Sequence, residues 1–177
     1  MPDFPVAIRP MDSVVLSPAS PQSIGRDLSG MGISAATAGW PAANRAIFMP
    51  ITIYNPITVV KMFIENGAST SGNIDVGIYD SDGAIIVSSG STAQSGVSAT
   101  QEFDITDTLL NPGLYYLAAA MDNTTGTVLR WGLSGAVARG IGVAQMASAF
   151  PLPSTATFAA LASSFIPGVF ATLRSVI

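Results

Sequence analysis

Between residues 45 and 133 the chain is cut into short β-branched and aromatic runs by turn-forming residues, at roughly the 8–12-residue spacing of all-β domains. No stretch within it is free of breakers for long enough to develop a sustained helical period. The clearest unit is Asn73–Asp80, in which Ile74, Val76 and Ile78 fall on one face and Asp75, Gly77 and Tyr79 on the other. Asp80-Ser81-Asp82-Gly83 then makes a tight turn, with Gly83 free to take a positive φ, and Ala84-Ile85-Ile86-Val87-Ser88-Ser89 returns as the second strand of a hairpin.

The flanking runs read the same way. Residues 45–54 and 57–65 are apolar strands split by Asn55-Pro56, a dipeptide that turns the chain and ends ladder pairing. Residues 89–100, almost all Ser, Gly, Thr, Ala and Gln, are expected to form an exposed loop. In 101–105, Phe103 and Ile105 point inward, and Leu110-Asn111-Pro112-Gly113 turns into the run 114–121. There Tyr115, Leu117, Ala119 and Met121 share a face, while the small Ala118 and Ala120 opposite let a second layer approach. That pattern predicts a central strand buried on both sides. The turn 122–126 leads to a last strand, 127–133, with Leu129, Trp131 and Leu133 expected inward. No internal repeat is present. The expected fold is an all-β antiparallel β-sandwich, jelly-roll-like, with an Ig-like sandwich as the nearest rival.

The flanks differ from the middle. Residues 1–44 are rich in Pro, Ser, Gly and Ala and hold one strand-like run, Ser13-Val14-Val15-Leu16. Their apolar content, Met11, Ile24, Leu28 and Trp40 included, predicts an extended N-terminal arm packed on its own domain or a neighbour. Residues 45–177 form the sandwich domain, and the apolar segment 134–177 within it is expected in subunit contacts. Between Arg139 and Arg174 there is no charged residue at all.

Composition narrows function. Only 10% of residues are charged, against about 25–35% on an ordinary wet surface, which predicts that much surface is covered by assembly. The chain has no histidine and no cysteine, so it lacks the commonest general base, the commonest metal imidazole and all thiolate chemistry. Its net charge is −4, and Arg9, Arg26, Arg45, Lys61, Arg130, Arg139 and Arg174 are scattered singly, so no nucleic-acid partner is expected. Met1-Pro2-Asp3-Phe4-Pro5 lacks the basic and apolar regions of a secretory signal, which points to synthesis in a host cytoplasm. The apolar run 156–177 is broken by Pro167-Gly168 and carries Arg174, so no membrane span is expected.

Three constellations bear on chemistry. Asp80 and Asp82, with Asp75 or Asp107, supply oxygens beside a glycine as a calcium loop would, but Gly83 and Ala84 stand where further ligands should be, so the plain Asp-Gly turn is the stronger reading and no metal or other cofactor is expected. Glu102, Asp104 and Asp107 carry the carboxyls that glycoside cleavage needs; alternation beside Phe103 and Ile105 instead suits the wet face of an edge strand, and no catalytic residues are assigned. Among the aromatics, Trp40, Trp131, Tyr54 and Tyr115 read mostly as core. Tyr79 and Tyr116 are the candidate glycan contacts, because alternation turns them away from the apolar face.

The segments SGNIDVGIYDSD (71–82), IIVSSGSTAQSG (85–96) and FDITDTLLNPGLYYLAAAMDNTTGTVLR (103–130) resemble a family of small β-rich proteins encoded by tailed bacteriophages. The resemblance covers about residues 45–130 and extends more weakly to QMASAFPLPSTATF (145–158). It implies a non-enzymatic virion structural protein, of capsid cement or decoration type or of the tail or fibre. The expected partners are further copies of the chain, for instance in a trimer, and other virion proteins such as the major capsid or tail protein. The alternative is a carbohydrate- or receptor-binding β-sandwich module for host attachment.

Overall fold

The computed structural model describes residues 23–25 and 35–173; the strand expected at 13–16 lies outside them. In chain order the strands are β1 (Ser23–Gly25), β2 (Ala35–Gly39), β3 (Arg45–Ile53), β4 (Ile57–Glu65), β5 (Asn73–Asp80), β6 (Ile85–Ser88), β7 (Thr92–Ala93), β8 (Thr100–Leu110), β9 (Gly113–Met121) and β10 (Thr127–Gly132). A short helix α1 (Gly135–Gly140) follows, capped by the Ser134 hydroxyl accepting the Val137 N–H. Then come β11 (Ala144–Met146), β12 (Ala159–Ala160), β13 (Phe165–Pro167) and β14 (Val169–Leu173).

Antiparallel sheets pack into an all-β sandwich. The larger runs β12-β11-β3-β9-β5-β6, with β7 also on β5; the one facing it runs β1-β14-β4-β8. The dipeptides Asn55-Pro56 and Asn111-Pro112 do not join hairpin neighbours. The first carries the chain from β3 in one sheet to β4 in the other, and the second from β8 back to β9. This sheet-to-sheet alternation is the habit of a β-sandwich. The one hairpin among the long strands is β5–β6, where Gly83 takes φ +87°. Pro50, with no N–H to donate, sits just past the last β11 pair, Ala144 with Phe48.

Ile47, Met49, Ile74, Val76, Ile78, Leu117, Ala119 and Met121 of the larger sheet meet Val59, Met62, Ile64, Phe103 and Ile105 of the other in one core. β9 is the doubly buried centre that its sequence predicts, because Ala118 and Ala120 on its other face belong to a second core. That second core comes from the C-terminal segment. Ala149, Leu152 and Ala156 lie over Ala46, Phe48, Tyr79, Ala118, Ala120 and Ala144 on the outer face of the larger sheet. The apolar tail therefore covers its own domain. β13 and β14 likewise pair within the chain, with β10 and with β4 and β1.

Three local expectations are corrected. In β10 it is Val128, with Trp131 and Leu133, that is buried, while Leu129 is only half-buried. Val128 and Trp131 stand three positions apart, so they point to opposite faces of the strand, and both are in the core; β10 therefore has no single wet face for alternation to separate. Within 89–100, Gln94 is buried, because its amide replaces water with protein partners. Residues 35–44, read as arm, include β2 and the buried Trp40, whose indole N–H donates to the Arg45 carbonyl at 2.8 Å.

Candidate functional site

The two candidate glycan contacts sit on the outer face of the larger sheet, as alternation predicts, but the 149–158 segment lies over that face. Tyr79 is completely buried, edge-on to Phe48, with its hydroxyl donating to the Pro153 carbonyl at 2.6 Å. Burial and the charge of Asp75 push its phenol above the ordinary tyrosine range. It has no face to offer a sugar. Tyr116 is half-buried and tilted against Phe158, ring centroids 4.3 Å apart, so this pair keeps some aromatic surface.

The carboxylates do not converge. Asp80 accepts the N–H groups of Asp82 at 2.9 Å and Ala84 at 2.8 Å through Oδ1, which fixes the hairpin turn. Asp75 is buried; its Oδ1 accepts the Ser88 and Ser89 hydroxyls at 2.7 and 3.2 Å, and its Oδ2 accepts the Leu152 N–H at 2.9 Å. Five residues along one strand separate it from Asp80, roughly 16 Å. Among the described residues no group of three or more acidic side chains is placed to hold a metal ion.

Glu102 and Asp104 project from the wet face of β8, and Asp107 follows them on the same exposed edge strand. Lys61, directly opposite Asp104 on β4, reaches Glu102 Oε2 at 2.9 Å. Its ammonium is held above the ordinary lysine range by the Glu102 hydrogen bond and charge, opposed by slight desolvation and aided by Asp104. The group is an ion-paired surface with a cation between the carboxylates.

The two ends of the sandwich differ in chemistry. At the end where β3 begins and β9 finishes, Asn66, Gln94 and Gln101 form a buried amide network. Gln94 donates to Asn66 Oδ1 at 2.8 Å and to the Thr127 carbonyl at 3.0 Å, and accepts the Ser71 N–H at 3.0 Å. Beside it the Asn123 side-chain amide and the Asn73 N–H hold the Asp122 carboxyl below the usual carboxylate range.

At the other end, both crossovers, 54–56 and 111–112, pass between the sheets. Tyr54 in the first is 55% exposed; Leu109 and Leu114, flanking the second, are 61% and 43% exposed. They are three of the six large hydrophobic side chains exposed among the described residues. Comparison of the sequence with protein-family models and with curated proteins finds no match in either. The apolar end was missed in the sequence because its residues hide in runs that look like core; the signal was the doublet Leu109-Leu110, which breaks strict alternation just before a turn.

No described helix is long and apolar enough to cross a membrane.

Proposed function

We propose that this protein is a non-enzymatic structural component of a tailed-phage virion, a capsid cement or decoration protein or a tail or fibre protein, acting as a homo-oligomer bound to other virion proteins. The observation that carries the reading is the uneven surface. One end is closed by a satisfied amide network, while the other exposes Tyr54, Leu109 and Leu114 around two short crossovers. An exposed aromatic ring on one crossover with exposed leucines on the strand ends beside the other suits a protein contact, whose core is depleted in charge and enriched in aromatic residues. The chain's scarcity of charge and the resemblance of residues 45–130 to phage structural proteins support the same reading.

Mass spectrometry of purified particles from cells carrying the gene tests it. Peptides of this chain should co-purify at fixed stoichiometry with the major capsid or tail protein; their absence from infectious particles overturns the proposal.

A second reading, host-glycan attachment, is favoured only by the half-exposed Tyr116–Phe158 pair. A glycan array separates the two, since binding lost on Tyr116→Ala would support attachment.

A further inference from the structure

Asn66-Gly67 is the one Asn-Gly pair in the sequence. We propose that Asn66 is a latent self-modification site, a deamidation site that the native fold holds closed and that unfolding opens. In an unfolded chain the deprotonated Gly67 nitrogen bonds to Asn66 Cγ, the Cγ–Nδ2 bond breaks, and ammonia leaves. Water then opens the resulting succinimide at one of its two carbonyls, giving aspartate or isoaspartate. Glycine favours the step because no side chain shields its nitrogen and its backbone turns freely.

The fold blocks each requirement. The attacking Gly67 N–H is donated to the Thr127 carbonyl at 2.8 Å. The side chain under attack is pinned: Nδ2 donates to the Ser95 carbonyl at 2.6 Å and to Gln101 Oε1 at 3.1 Å, and Oδ1 accepts from Gln94 at 2.8 Å. Its own N–H donates to the Ala99 carbonyl at 3.0 Å. Asn66 is only 1% exposed, so water is excluded as well.

The labile pair is also one the fold requires, for two independent reasons. Position 66 needs a side chain that donates and accepts at once, which an amide does and a carboxylate does not. Position 67 needs glycine, since a Cβ there would run into the Thr127 and Thr37 side chains. Replacing Nδ2 by oxygen would set acceptors against the Ser95 carbonyl and Gln101 Oε1, and isoaspartate would add a methylene to the backbone at the Asn66–Val128 bridge. A modified chain cannot rebuild the network. A molecule that stays folded keeps Asn66, and one that unfolds for long loses the ability to return.

The test is to incubate the full chain at mildly alkaline pH in native buffer and in concentrated urea, following the Asn66 peptide by mass and by isoaspartate content. Conversion in urea should exceed that in native buffer by roughly a thousandfold or more, the reciprocal of an unfolded fraction of about 10⁻³. After dilution from urea, the fraction failing to refold should equal the converted fraction. Gln94→Ala should convert faster than wild type in native buffer. Equal rates in the two buffers, no conversion in urea, or full refolding of converted chains would each overturn the proposal; the wild-type comparison stands even where Gln94→Ala does not fold.

Discussion

Asp75 in β5 and Leu152 in the C-terminal segment are 77 residues apart and are joined by a buried hydrogen bond, the Leu152 N–H donating to Asp75 Oδ2 at 2.9 Å. The carboxylate's other oxygen is held by Ser88 and Ser89. A charge on the covered face of a sheet is tolerated because donors surround it, and it ties the covering segment to one position. Four residues on, Tyr79 repeats the tie with the Pro153 carbonyl.

Removing the carboxylate should loosen that cover. Asp75→Ala leaves the Ser88 hydroxyl and the Leu152 amide without their acceptor, while the Ser89 hydroxyl keeps the Gly90 carbonyl at 3.1 Å, and should cost about 2–4 kcal/mol. Urea unfolding should show a lower midpoint, and the Leu152 amide should lose protection in hydrogen exchange. An unchanged midpoint would show that the segment is held by its apolar contacts alone.

Tyr79 makes stability depend on pH on the alkaline side. Its folded phenol is raised above the unfolded value, so above pH of about 10 the unfolded chain releases a proton that the folded chain retains. Its contribution is therefore constant below that pH and falls as pH rises beyond it, by at most about 1.4 kcal/mol per pH unit. Tyr79→Phe should remove this part of the fall and lower neutral stability by about 1 kcal/mol through the lost bond to Pro153. Urea unfolding at neutral and alkaline pH measures both.

The amide network is equally exposed to test. Gln94→Ala strands Asn66 Oδ1 and the Ser71 N–H, and should destabilise by roughly 2–3 kcal/mol. Denaturant titration with an unchanged slope is the expected signature.

At the apolar end the expected effect is on association. Tyr54 and Leu109 are mostly exposed, so Tyr54→Ser with Leu109→Ser should move stability by less than about 0.5 kcal/mol per site. Light scattering across a concentration series should show weaker self-association than wild type. Identical mass curves would show that this end makes no contact between copies of the chain.

How much was legible follows from what alternation encodes. It placed β5 and β9 and their faces correctly, because side-chain direction in a strand is local. It also put Tyr79 on the outer face, yet could not say that residues 149–158 would cover that face. In β10 it assigned Leu129 to the core where Val128 is buried, since alternation assumes one wet face and this strand buries Val128 on one face and Trp131 on the other. Gln94 looked like a loop residue, because nothing local reveals that Asn66, 28 positions away, will meet its amide.

The sequence by itself determined that the chain is all-β, where most strands run and which turn is the hairpin, since these depend on neighbours in the chain. Only the tertiary structure decided that the two Asn-Pro turns cross between sheets, that the charge-free tail covers its own domain, and that Tyr54, Leu109 and Leu114 gather at one end. Those outcomes depend on which distant surfaces meet, and an apolar run reads the same whether its own sheet, another subunit or water lies against it.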